Sequence, residues 1–152
     1  MKKTLLVLIV MLWAVIAAQA QSLTGKTWVH NMDNNVTAQM VFNEDGTMVM
    51  TFDGDMEDDV HLNLVIPCTY KKHTKRLCFK LDLKNCDINL SSSESDGSIS
   101  EDYLKQLKDG FKQKTKKDKT FSKKQMFRIK KLTESQLELV DAKGVSTVFY
   151  AQ

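Results

Sequence analysis

The stretch Val36-Thr37-Ala38-Gln39-Met40-Val41-Phe42-Asn43-Glu44-Asp45-Gly46-Thr47-Met48-Val49-Met50-Thr51-Phe52 decides the fold class. Val36, Ala38, Met40 and Phe42 alternate with Thr37, Gln39 and Val41, a period of two that puts one apolar set on one face of a strand. Asn43-Glu44-Asp45-Gly46 is a polar turn whose glycine is free to take positive φ. Met48, Met50 and Phe52 then resume the alternation. The segment reads as an antiparallel hairpin with one apolar face, ended by Asp53-Gly54-Asp55.

Outward from this hairpin the same pattern recurs. Thr27 to Met32 is a strand carrying Trp28. Val60 to Tyr70 and Arg76 to Leu83 flank the polar turn Lys71-Lys72-His73-Thr74-Lys75, and Ile88 with Leu90 marks a short strand. After the serine patch at Ser91-Ser92-Ser93 the period changes. Ser98-Ile99-Ser100-Glu101 fits a capping box, and Tyr103, Leu104, Leu107 and Phe111 follow at helical spacing, so a helix is expected from Ile99 to Lys114. Strands return at Gln125 to Leu132, Gln136 to Ala142 and Val145 to Ala151, the last two around Lys143-Gly144.

Eight or nine short strands joined by tight turns imply antiparallel neighbours. Each has one apolar face to bury. A sheet closed on itself buries those faces and removes exposed edges, whereas a β-sandwich buries the faces alone. The expectation is a mainly β, antiparallel up-and-down barrel with one inserted helix.

The chain opens on Met1-Lys2-Lys3, followed by an uncharged apolar run from Leu5 to Ala18 and the small-residue site Ala18-Gln19-Ala20. This is the pattern of a cleaved secretory signal over residues 1–20, with cleavage before Gln21. The run is shorter than a membrane span, and no cysteine at the cut offers a lipid anchor. Residues 21–152 then form one domain, exported to a periplasm or beyond the cell. Without Lys2 and Lys3 the chain carries 20 basic and 19 acidic side chains. That balance gives no nucleic-acid signal.

The three cysteines are Cys68, Cys78 and Cys86. Val60, Leu62, Leu64, Ile66 and Cys68 share one strand face. Leu77, Phe79, Leu81 and Leu83 form the inward set of the next strand, which turns Cys78 outward. Two cysteines on opposite faces miss disulfide geometry unless a bulge intervenes. With His30, His61 and His73 the cysteines are too scattered for a zinc site, and the acidic stretch Asp53 to Asp59 lacks the spacing and terminal glutamate of an EF-hand. Neither a metal nor a cofactor is expected.

Four pieces of this layout resemble the lipocalin-like proteins of bacterial secreted proteomes, within the wider calycin group. They are Leu23-Thr24-Gly25-Lys26-Thr27-Trp28, Phe42-Asn43-Glu44-Asp45-Gly46-Thr47, the hairpin Phe127-Arg128-Ile129-Lys130-Lys131-Leu132-Thr133 with Leu137-Glu138-Leu139, and the final Val148-Phe149-Tyr150. Two residues separate Gly25 from Trp28 where the usual fingerprint has one, and the helix precedes the final strands. The resemblance implies a closed barrel end built on Gly25 and Trp28, with Arg128 as the late-strand arginine beside the indole.

The sequence lacks a G-x-S-x-G elbow, a phosphate loop, an H-E-x-x-H pair and a glycine-rich dinucleotide turn. The expected function is therefore non-enzymatic. The inward set Met40, Phe42, Met48, Met50, Leu62, Leu64, Phe79 and Leu81 would line a site for a small hydrophobic molecule, methionine adapting to irregular apolar shapes. The alternative is a filled barrel acting as a surface interaction or inhibitor module. It would use the basic stretch Lys105 to Lys124, where nine lysines stand against Asp109 and Asp118.

Overall fold

The computed structural model describes residues 22–32, 35–56, 60–92, 100–117 and 123–152. The expected signal segment, and its cleavage point before Gln21, lie outside them. The described strands are β1 (Thr27–Asn31), β2 (Val36–Phe42), β3 (Thr47–Asp55), β4 (Val60–His73), β5 (Arg76–Leu81), β6 (Asp87–Ser92), β7 (Gln125–Leu132), β8 (Gln136–Val140) and β9 (Ser146–Ala151). One helix, α1 (Glu101–Lys117), stands between β6 and β7.

Every strand pairing is antiparallel. The sequence of neighbours β3-β2-β1-β9-β8-β7-β5-β4 is closed by β3 pairing with β4, which makes an eight-stranded barrel with β6 as an extra strand. The expected up-and-down barrel with an inserted helix is the observed fold.

One barrel position is split. Along one edge, β4 pairs with β3 from His61 to Thr69. Along the other, it pairs first with β6 (Val60 to Val65) and then with β5 (Cys68 to His73). Because β5 and β6 are both antiparallel to β4, they run end to end in the same direction. The turn Asp82 to Cys86 separates them, held by Asn85 Nδ2 donating to Asp82 Oδ2 at 2.7 Å. Of these two strands, β5 is the one that pairs with β7, over Gln125 to Arg128. Helix α1 packs against β6.

Several boundaries differ from the sequence expectation. β4 continues to His73, so its turn into β5 shrinks to Thr74-Lys75: ladder bonds form between backbones, and alternate charged side chains simply face solvent. β5 stops at Leu81 rather than Leu83 because the chain leaves β4 there. Helix α1 begins at Glu101, capped by Ser100, whose Oγ accepts the Tyr103 N–H at 3.3 Å. Ser98 and Ile99 of the expected capping box lie outside the described residues. Glu101 and Asp102 in the first turn, and Lys114, Lys116 and Lys117 in the last, complement the helix dipole.

The core is the barrel interior. Leu23, Trp28, Met40, Phe42, Met48, Leu64, Ile66, Cys68, Leu77, Phe79, Ile88, Leu137, Leu139 and Phe149 form one buried cluster. Cys68 is registered with Leu81, and Cys78 with Lys71. All three cysteines are free.

Candidate functional site

The antiparallel order sorts the connections onto two barrel ends. The segment before β1, the β2–β3 turn, Thr74-Lys75, the β7–β8 turn and the end of β9 share one end, here the base. The β1–β2, β3–β4 and β8–β9 connections share the other, here the mouth.

The base is sealed. Gly25 takes φ +75°, which turns the chain so that buried Leu23 lies beside Trp28. Trp28 has no exposed surface, and its Nε1 donates to the Leu23 carbonyl at 2.9 Å. Lys26 Nζ lies 5.6 Å from the indole centroid and donates to the Glu134 carbonyl at 2.9 Å, tying the β7–β8 turn to the base. Phe42 meets Tyr70 edge to face at 4.9 Å, and the Tyr70 hydroxyl donates to the Asn43 carbonyl at 2.8 Å. Burial pushes that phenol's pKa up.

Burial loosens toward the mouth. One row of registered residues crosses the barrel as His30, Ala38, Phe52, Leu64 and Ile88. The next row outward holds Gly54, Leu62 and Leu90. Met50, Phe52, Leu62 and Leu90 pack against the core but stay only partly buried, as does Phe111 of the helix. The mouth half of the interior is thus apolar and incompletely covered. Among the residues just named, the polar one is His30. His30 Nδ1 bonds the Val148 carbonyl at 2.8 Å, and its ring stands 5.4 Å from Phe149. Because a carbonyl only accepts, Nδ1 carries the proton, leaving Nε2 as the acceptor of the neutral ring.

All eight residues expected to line the barrel do face one interior, but at different depths. Met40, Phe42, Met48, Leu64 and Phe79 are buried in the packed part, Phe79 stacked on Phe127 at 5.1 Å. Met50, Leu62 and Leu81 are half-buried. Gly25 and Trp28 build the closed end. Arg128 is not brought to them: it is exposed on the outer face, registered with Arg76 and Val140, and the cation over the indole is Lys26. Phe52, Leu90 and His30 join this lining although the expected lining set omitted them; each lies two residues along its strand from an inward residue.

On the outer face at the mouth, the β3–β4 hairpin carries a charged cluster. His61 Nδ1 lies 2.8 Å from Asp55 Oδ1 and its Nε2 3.3 Å from Asp53 Oδ1. Asn63 Nδ2 also donates to Asp53, at 2.8 Å. The hydrogen bond with Asp55 raises the His61 pKa; slight burial opposes it, and the nearby Asp53 charge adds to it. Glu57, Asp58 and Asp59 of the same acidic stretch lie outside the described residues. Among the described residues no group of histidine, cysteine, aspartate or glutamate side chains has metal-holding geometry, and no helix is long and apolar enough to cross a membrane.

No family model and no curated protein matches this chain. Among solved structures, the chain is similar to an uncharacterized protein from Bacteroides eggerthii, with a TM-score of 0.47 and 14% identity over 86% of this chain and 100% of that one.

Proposed function

We propose that the chain is exported and that residues 21–152 act as a non-enzymatic binding protein, holding a small hydrophobic molecule in the mouth half of the barrel. The observation that carries this reading is the gradient of burial. The base is filled and locked, whereas Met50, Phe52, Leu62 and Leu90 present apolar surface that remains partly open. A ligand seated there would remove that surface from water, a gain of about 25 cal/mol per Å². His30 supplies one oriented acceptor, in keeping with sites that are mostly apolar with a few placed polar groups.

The test is a titration of the mature protein with the neutral apolar fluorophore N-phenyl-1-naphthylamine. Saturable binding that is lost in Leu62→Lys, and retained in a variant altered on the outer face such as Thr51→Lys, supports the reading. Absence of binding, with all proteins folded by circular dichroism, contradicts it.

A second reading, a surface module, draws on helix α1. The helix has no fully buried side chain, and it leaves Tyr103 41% and Leu107 37% exposed among its lysines.

A further inference from the structure

The split of one barrel position into β5 and β6 leaves a feature on the barrel flank. Where β5 ends, the last turn of α1 faces the Asp82 to Lys84 turn across a cleft of about 690 Å³. Leu81 and Leu83 give it an apolar side and belong to the partly buried shell of the core. Lys80, Lys84 and Lys116 also line it. Among the described residues none of these lysines has a carboxylate oxygen within 4.0 Å. Among the described residues lining the cleft the one carboxylate is Asp82, which is turned into its own loop by the 2.7 Å bond from Asn85 and held below the usual carboxylate pKa chiefly by that bond, with the charge of Lys84 adding to it. The carbonyl end of α1 contributes a partial negative charge of about half a unit. Three ammonium groups outweigh both. Thr69 and Thr115 add hydroxyls to the lining.

We propose that this cleft seats the acidic end of an amphiphile, a carboxylate or a phosphate monoester, whose apolar chain runs over Leu81 and Leu83 toward the barrel interior. The inference rests on the barrel-binding reading and specifies the chemistry of its ligand. Leu81 faces inward in register with Cys68, whereas its neighbour Lys80 is paired with Thr69 on the outer face. The end of β5 therefore joins the apolar interior to the cationic flank within two consecutive residues.

Dodecanoate, dodecyl phosphate and dodecan-1-ol, titrated calorimetrically into the mature protein at low ionic strength, test this. At least one of the anions binds about tenfold more tightly than the alcohol, an advantage that salt erodes because the lysines are exposed. The triple variant Lys80→Gln, Lys84→Gln, Lys116→Gln loses that advantage but keeps its affinity for the alcohol. The charge-matched variant Lys75→Gln, Lys105→Gln, Lys143→Gln retains it. Whichever anion binds more tightly identifies the head group. Equal affinity for alcohol and anions, or an advantage that survives the triple variant, overturns the inference and leaves the barrel reading standing. Failure of all three probes to bind overturns both.

Discussion

Trp28 Nε1 donates to the Leu23 carbonyl at 2.9 Å, so the first strand of the barrel holds the segment that precedes it and closes the base. Both residues are buried, so the bond is shielded from solvent. Trp28→Phe keeps an aromatic ring but strands the Leu23 carbonyl. It is expected to cost about 1–3 kcal/mol, read as a lower urea midpoint with an unchanged slope. An unaltered midpoint would show that the base does not depend on this bond.

Among the described glycines, Gly54 is the one most closely approached by other backbone. A Cβ placed on it would lie 2.2 Å from the Asn35 carbonyl oxygen and 2.6 Å from Val36 Cα. Both are backbone atoms, which a rotamer change cannot move. Gly54→Ala is expected to destabilise the fold by roughly 2–4 kcal/mol, measured by denaturant unfolding, because β2 and β3 must separate at the mouth.

The His61 cluster makes stability depend on pH. Asp55 and Asp53 raise the folded pKa of His61 above its ordinary value. The stabilisation is therefore fully present below the unfolded pKa of about 6.5 and is lost as pH rises through the higher folded value. His61 is 38% exposed, so solvent screens the effect and the change is small. An NMR titration of the imidazole should give a pKa above that of His61 in an Asp53→Asn, Asp55→Asn variant. Equal values in the two proteins would refute the coupling.

The thiols should differ in reactivity. Burial pushes the Cys68 pKa up to about 11, so Cys68 stays a thiol at neutral pH. Cys78 is buried too, and Cys86 is the half-exposed one. Ellman's reagent should modify Cys86 first in the native protein and all three after unfolding. Rapid native labelling that survives Cys86→Ser would contradict this order.

The barrel was legible in the sequence because apolar residues recur at every second position of β2, β3 and β4. Alternation through Val36–Phe52 and Val60–Cys68 therefore fixed which residues point inward. The two strands β5 and β6 were separable in the sequence, but their sharing of one barrel position was not legible. Leu83 and Cys86 carry on an apolar pattern through a turn, and only pairing with β4 reveals that the two strands share one barrel position. The site was legible in part for a similar reason. Alternation assigns Met48 and Met50 to one face, but their depths depend on how the barrel closes, which sealed Met48 and left Met50 half-open. Arg128 was assigned by resemblance, whereas its own alternation with Phe127 and Ile129 puts it outside.

The apolar site proposed at the mouth of the closed barrel is open to direct test. Native mass spectrometry of residues 21–152 purified gently from the producing cells, followed by organic extraction, tests it most directly. The expected result is a mass above that of the polypeptide, an extractable apolar or amphiphilic molecule, and loss of that molecule from folded Leu62→Lys. A bare polypeptide mass with an empty extract would contradict it.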